Sequence, residues 1–322
     1  MRRLLSLLLA ALMLLATAAC GGGDSDKPES DVDMGQEIKG LSVSGNFGEE
    51  PEVKVDPAVK VDKPTTQVVS AGEGNPVVAN QDAMFNIFLA KGADGEKLYS
   101  SADQGTPTQA KMTEGQFFKV IIDGLVGKPQ GSRVAIAATV KDVWGQAGAP
   151  QLKLKTSDTV MFVIDVLSVT PKEVIDGPEG EEVAPPADAP AVTESGGEVT
   201  GVDFSKAAKK APTELQTIPL IKGDGPVVRD QSLVTVDYIG QVYGSSKPFN
   251  NSYASEPATF GVGKGSSVIP AWNKALVGLP RGSRVLLVVP PADGYGPGGN
   301  PAIKVGPKDA MVFLVDVLGV DG

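Results

Sequence analysis

The chain has 322 residues, 41% hydrophobic and 21% charged, which is typical of folded globular proteins and long enough for two domains. Thirty-nine acidic residues against 29 basic ones give a formal net charge of −10, which argues against binding to nucleic acid. The chain has no histidine, so a histidine base, a histidine-ligated zinc site and a Ser-His or Cys-His nucleophile are excluded.

Residues 1–20 have the pattern of an export signal. Two arginines precede an apolar stretch, 4–15, that is too short to span a membrane as a helix. The small residues before Cys20, the only cysteine, resemble the bacterial lipobox, in which the cysteine is lipidated. The sequence therefore predicts an exported bacterial lipoprotein, anchored to the cell membrane through Cys20 and facing the extracytoplasmic side. An ordinary cleaved signal with an incidental cysteine is the alternative.

An internal repeat organises the rest of the chain. The stretch 127–134 recurs as 278–285, an offset of 151 residues. Upstream, the sequence favours an offset of 150, which aligns Tyr99 with Phe249. The chain is thus a tandem duplication of one module.

The repeat and the composition predict the division of the chain. After the signal, we expect a flexible tether at 21–37, a first module at 38–171 and a second at 199–322. Between the modules, 172–198 is rich in Pro, Glu and Ala, which indicates a solvated, partly extended linker. The modules are therefore not expected to dock rigidly, although their leading strands could touch.

The second module reads as an α+β fold. Residues 233–239 alternate apolar and polar side chains, as a half-buried strand does, whereas 284–289 and 310–318 read as fully buried strands. Between 268 and 278 the pattern predicts one short helix, with Pro270 in its first turn. In each module, about five antiparallel strands are expected to twist around one helix, with a pocket between helix and sheet.

Over about residues 227–320, the second module resembles the FKBP-type peptidyl-prolyl cis-trans isomerases. The motifs that carry the resemblance are, in order, 237–240, 248–250, 257–260, 268–272, 276–284, 295–296 and 311–313. The first module fits the same outline less well. The resemblance implies two tandem FKBP-like modules of this α+β fold.

The resemblance also implies a role for each matching position. Trp272 would form the floor under the substrate prolyl ring, and the Ile269 N–H and the Tyr295 hydroxyl would bind substrate carbonyls. The implied catalytic residues are Tyr238, Phe249, Asn250, Trp272 and Tyr295, and the implied substrate-binding residues are Val268, Ile269, Ile303 and Phe313. Most active members have Asp where this chain has Asn250, so weaker catalysis is expected.

Isomerisation of an Xaa-Pro bond requires no cofactor and no metal, because no bond is made or broken. The expected partners are Xaa-Pro segments of unfolded or envelope proteins, macrolide ligands, and the membrane through Cys20. A non-catalytic chaperone or peptide-binding lipoprotein is the alternative function, and an envelope adaptor cannot be separated from it by sequence.

The first module departs from the family pattern at the site itself. By the repeat offsets, Ile121 replaces Trp272, Phe88 replaces Tyr238 and Trp144 replaces Tyr295. We expect a module without isomerase activity that serves as a spacer or a binding surface. The alternative is a rebuilt pocket, formed by Phe88, Tyr99, Phe117 and Trp144.

Overall fold

The computed structural model of the chain describes residues 32–321. The predicted signal, Cys20 and most of the predicted tether lie outside these residues. Within the described part, no helix combines the length and the apolar character needed to cross a membrane.

The first module contains eight strands and three short helices. Its strands are β1 (Leu41–Ser44), β2 (Glu52–Val55), β3 (Thr65–Ser70), β4 (Asp82–Lys91), β5 (Lys97–Ser100), β6 (Thr108–Lys111), β7 (Arg133–Thr139) and β8 (Thr159–Val169). Its helices are α1 (Ser101–Gln104), α2 (Lys119–Leu125) and α3 (Val140–Trp144), followed by 3-10 turns at Gly145–Ala147 and Pro150–Leu152.

The second half repeats most of this order, with an additional strand at its start and a single α-helix. Its strands are β9 (Glu181–Glu182), β10 (Ala191–Ser195), β11 (Glu198–Asp203), β12 (Gln216–Lys222), β13 (Ser232–Val242), β14 (Pro248–Asn251), β15 (Ala258–Val262), β16 (Arg284–Val289) and β17 (Met311–Val320). Its helix is α4 (Pro270–Ala275), and 3-10 turns follow at Pro291–Asp293, Gly296–Gly298 and Pro301–Ile303.

Each module is built on one antiparallel sheet. The strand order is β3-β7-β8-β4-β5 in the first and β12-β16-β17-β13-β14 in the second, where β9 also extends the β12 edge. The short strands β6 and β15 pair with β4 and β13. The predicted α+β fold of two tandem FKBP-like modules is confirmed, with six and seven strands rather than about five.

Both faces of each sheet are covered, which explains the continuous apolar runs of the central strands. Every residue of β17 is buried, because alternate side chains pack under α4 and under the β10–β11 hairpin. The α4 helix starts at Pro270, which suits the first turn, and buries Ala271, Trp272 and Ala275. The β1–β2 hairpin covers the outer face of the first sheet in the same way.

A buried ion pair fastens the first hairpin to its sheet. Arg133 on β7 donates from Nε to Asp165 Oδ1 at 2.6 Å and from Nη2 to Oδ2 at 2.7 Å. Its remaining N–H groups reach carbonyl oxygens of the β1–β2 turn, including those of Gly45 at 2.9 Å and Asn46 at 2.7 Å. The guanidinium therefore joins the hairpin to the sheet at a buried position, where water does not compete for its hydrogen bonds.

The second module repeats the pair: Arg284 donates from Nε to Asp316 Oδ1 at 2.7 Å and from Nη2 to Oδ2 at 2.8 Å. The Tyr253 hydroxyl also donates to Asp316 Oδ2 at 2.8 Å. Burial, and then the charge of Asp316, raises the pKa of Tyr253, so this hydroxyl keeps its proton and remains a donor.

Strand pairing corrects the repeat register upstream of residue 127. Tyr238 pairs with Val315, and the residue that occupies the same place in the first module is Ile87, which pairs with Ile164. The structural offset is therefore 151 here as well. An offset of 150 is wrong in these strands because a shift of one residue moves every side chain to the opposite face of the sheet.

Segment 172–198 differs from the solvated linker that its composition predicts. Many of its side chains are exposed, but its backbone pairs with the second module. The Ile175 N–H donates to Leu318 O at 3.0 Å, the Glu179 N–H donates to Gly282 O at 2.9 Å, and β9 pairs with β12. Its extended backbone can pair there because an open sheet edge offers unpaired N–H and C=O groups.

The two modules also dock more closely than their composition predicts, through β4, β8 and β13 rather than through their leading strands. Asp321 is buried where they meet and accepts from Ser168 Oγ at 2.6 Å and Gln130 Nε2 at 2.9 Å. Ser232 Oγ donates to its other oxygen. Burial raises the pKa of Asp321, while these hydrogen bonds oppose the shift.

Candidate functional site

A cavity of about 240 Å³ opens between α4 and the inner face of the second sheet. It is smaller than the roughly 300–1,000 Å³ of pockets that enclose drug-sized ligands, so it can enclose a small ring, and a larger ligand would extend beyond it. Its lining is mostly apolar and consists of Tyr238, Phe249, Asn250, Phe260, Ser267, Val268, Ile269, Trp272, Tyr295 and Phe313.

Trp272 forms the base of this cavity. The α4 helix presents the indole to the sheet, where Tyr238 and Phe260 each lie with ring centroids 5.2 Å from it, and Phe313 lies at 5.7 Å. The interplanar angles of 84–89° are edge-to-face contacts, which aromatic quadrupoles favour. Four rings from three strands and one helix thus hold one another in fixed orientations.

The cavity also has a few polar groups. Burial, and to a lesser extent the nearby Tyr295, raises the pKa of Tyr238, so its hydroxyl stays protonated at neutral pH and can donate a hydrogen bond. Ile269 is the N-cap of α4, in an extended conformation. Within residues 32–321, its N–H forms no hydrogen bond, which leaves a donor at the rim of the cavity.

Asn250 lies at the exposed edge of the cavity, on β14. Its Oδ1 accepts from the Asn251 N–H at 2.8 Å, a local contact that orients the amide. The amide contributes a dipole but no net charge to the edge of the apolar walls.

Eight of the nine predicted site residues line this cavity: Tyr238, Phe249, Asn250, Val268, Ile269, Trp272, Tyr295 and Phe313. The ninth, Ile303, is not among the lining residues; it lies in the 3-10 turn Pro301–Ile303 and packs, partly buried, against the core cluster that contains Trp272 and Phe313. Phe260 and Ser267 also line the cavity, although the resemblance assigned them no role. Phe260 could have been found, since it lies within the motif 257–260, whereas the exposed Ser267 carries no such signal.

The equivalent place in the first module is packed with aromatic rings. Phe117 and Phe118 replace Val268 and Ile269. The ring centroid of Phe117 lies 5.5 Å from that of Phe85, and the ring centroid of Phe118 lies 5.9 Å from that of Trp144. In the corrected register, Ile87 replaces Tyr238 and lies in the core under α2. The first module therefore has neither the indole floor nor the hydroxyl.

The corrected register also excludes a pocket that Phe88 shares with Phe117 and Trp144. Phe88 faces the β1–β2 hairpin on the opposite side of the sheet. Tyr99 takes the place of Asn250, since it pairs with Leu89 as Asn250 pairs with Gly240.

The fold and cavity define a class: a small twisted sheet around one helix, with an aromatic recess for a small apolar ring. The sequence pattern of the FKBP-type peptidyl-prolyl cis-trans isomerases matches residues 75–167 and 225–318, more than half of the chain. The chain belongs to this family.

Three similar proteins illustrate the relationship. The chain is 30% identical over 120 residues to an FK506-binding protein of Streptomyces anulatus, a match that covers 37% of this chain and 94% of that protein. It is 36% identical over 118 residues to FkpA, an FKBP-type isomerase of Escherichia coli strain K12, covering 36% of this chain and 41% of FkpA. It is 33% identical over 111 residues to the outer membrane protein MIP of Legionella longbeachae, a match that covers 34% of this chain and 45% of MIP. The matched part is thus less than half of FkpA and of MIP.

Among solved structures, the crystal structure of Escherichia coli FkpA is similar, with 32% identity, a TM-score of 0.31, and coverage of 35% of this chain and 53% of that one. The three FKBP domains of wheat FKBP73 align with 80% of this chain and 94% of theirs, at 14% identity and a TM-score of 0.34.

Proposed function

We propose that the second module catalyses cis-trans isomerisation of Xaa-Pro peptide bonds and thereby assists the folding of exported or envelope proteins. The observation that supports this most is the aromatic cavity over Trp272, whose size and apolar lining suit a prolyl ring. The family relationship supports the same reaction.

The chemistry requires no nucleophile. Rotation about a peptide bond is opposed by amide resonance, a barrier of ~18–20 kcal/mol, and unaided Xaa-Pro isomerisation takes tens of seconds or more. In the twisted transition state the amide loses its charge-separated resonance form and becomes less polar. An apolar aromatic recess therefore favours the twisted state over the planar one.

Donors at the rim would hold the twisted peptide. In this proposal, the Ile269 N–H and the Tyr295 hydroxyl bind the carbonyl oxygens that flank the prolyl ring, and the protonated Tyr238 hydroxyl is a further donor. Each 1.36 kcal/mol gained only in the transition state is worth about tenfold in rate. Following isomerisation of a short peptide with one Ala-Pro bond tests the proposal, and no acceleration by the full chain would reject it.

The same cavity is proposed to bind macrolides, because one relative is named for FK506 binding. Such a ligand would compete with the peptide, since both would cover Trp272.

Asn250 favours a second candidate function, in which the module mainly binds Pro-containing segments and isomerises them only slowly. If so, Asn250→Asp should raise kcat severalfold while the affinity for the peptide stays within about twofold, because the substitution restores a charge at the rim without changing side-chain size. Isomerisation rates and peptide titrations of both proteins measure the two effects. An unchanged kcat would show that the charge has no role here.

The N-terminal sequence supports an extracytoplasmic, membrane-anchored location, and one relative is named as an outer membrane protein. Cys20→Ser is expected to move the protein from the membrane fraction to the soluble fraction, because two or three acyl chains are needed for stable anchoring. Fractionation of cells that produce each form is the measurement. Retention of the serine variant in membranes would contradict lipidation at Cys20.

A further inference from the structure

The edge strand β15 connects the cavity with the first module. Phe260 on β15 lines the cavity, and its ring contacts those of Tyr238, at 5.8 Å, and Trp272, at 5.2 Å. Along one edge, β15 is paired with β13. At the other edge, the N–H of Gly261, the residue after Phe260, donates to Gln109 Oε1 of the first module at 3.1 Å.

The two modules approach each other closely along this edge. A Cβ on Gly261 would lie 3.0 Å from Gln109 Oε1 and 3.1 Å from Met84 Sδ. A Cβ on Gly265, whose φ is +77°, would lie 2.4 Å from the carbonyl oxygen of Gly105. The first module therefore bounds both β15 and the loop that follows it.

That loop leads directly to the cavity. On its inner side, Asn273 Oδ1 accepts from the Gly263 N–H at 3.0 Å and from Ser266 Oγ at 2.6 Å. Two residues further along the chain, Val268 and Ile269 form part of the cavity wall. The segment from Phe260 to Ile269 is thus held by α4 on one side and by the first module on the other.

We propose that Gln109 is a positioning residue for the cavity of the second module. Its Oε1 fixes the outer edge of β15, and β15 in turn fixes the Phe260 ring against Tyr238 and Trp272. The first module, which lacks the indole floor, would then contribute to isomerisation by supporting the wall of its neighbour's site. This inference rests on the proposed isomerase activity of the second module.

Two substitutions that keep the side-chain length of Gln109 separate the effect of its hydrogen bond from the effect of its packing. Gln109→Met removes the acceptor, and Gln109→Glu keeps one at the same reach. In the full chain, Gln109→Met is expected to lower kcat for an Ala-Pro peptide by about threefold to tenfold, the size that the loss of one hydrogen bond implies. Gln109→Glu is expected to stay within about twofold of the wild type. Gln116→Met, an exposed glutamine of the same module, serves as the matched control.

Amide hydrogen exchange at Gly261 provides a readout that does not depend on catalysis, and it should become faster in Gln109→Met alone. Equal kcat values for Gln109→Met and the wild type would overturn the inference and leave the isomerase proposal intact. Lower kcat in both Gln109 variants, with no rescue by glutamate, would also overturn it. An inactive wild-type chain would overturn the proposed function, and this inference with it.

Discussion

Replacing Trp272 with alanine is expected to lower kcat/KM for an Ala-Pro peptide by more than about tenfold, because the transition state loses the floor of its apolar recess. The indole also supports the rings of Tyr238, Phe260 and Phe313, so the walls lose their common contact. Peptide isomerisation by the full chain, followed over a range of substrate concentrations, measures the effect.

Stability must be separated from catalysis in this experiment. Truncation of a buried tryptophan costs about 3–5 kcal/mol of unfolding free energy, so Trp272→Phe, which keeps an aromatic floor, is measured alongside. We expect Trp272→Phe to fold and to retain intermediate activity. Trp144→Ala, at the other tryptophan of the chain, is the matched control and should leave kcat/KM unchanged. Full activity in a folded Trp272→Ala protein would exclude the indole as the floor of the site.

The substitution Arg133→Met is expected to lower the unfolding free energy of the first module by about 3–5 kcal/mol, because it leaves the Asp165 carboxylate buried without its cation. Both side chains are only 3% exposed. The carbonyl oxygens of the β1–β2 turn also lose their donors, so the hairpin is released from the sheet. Urea unfolding, followed by Trp144 fluorescence in a Trp272→Phe background, reports on the first module specifically.

An exposed ion pair of the same module provides the comparison. Lys119 and Asp123 lie one helical turn apart, with side chains 58% and 59% exposed. Lys119→Met should therefore cost no more than about 0.5 kcal/mol. If the Arg133 and Lys119 variants lose similar amounts of unfolding free energy, the buried ion pair is not what holds the hairpin to the sheet.

The sequence was sufficient to predict the fold class and most of the residues that line the cavity. Helix α4 lies within the predicted range, because Pro270 and Gly278 restrict where a helix can start and end. Eight of the nine predicted site residues line the cavity, since the family motifs fix their spacing on short, regular elements. Ile303 is the exception, and it follows a long loop whose path depends on packing rather than on local propensity.

What the sequence could not determine was the register of the first module and everything that joins the two modules. Apolar residues occupy neighbouring positions in β4, so Ile87 and Phe88 both look like counterparts of Tyr238; only pairing with β8 decides between them. The sequence by itself determined a duplicated α+β module, with an indole and aromatic walls in the second copy, because those features are local in spacing. The tertiary structure alone decided that Gln109 of the first copy meets Gly261 beside the Phe260 wall, because contacts between residues far apart in the chain depend on how two complete surfaces fit.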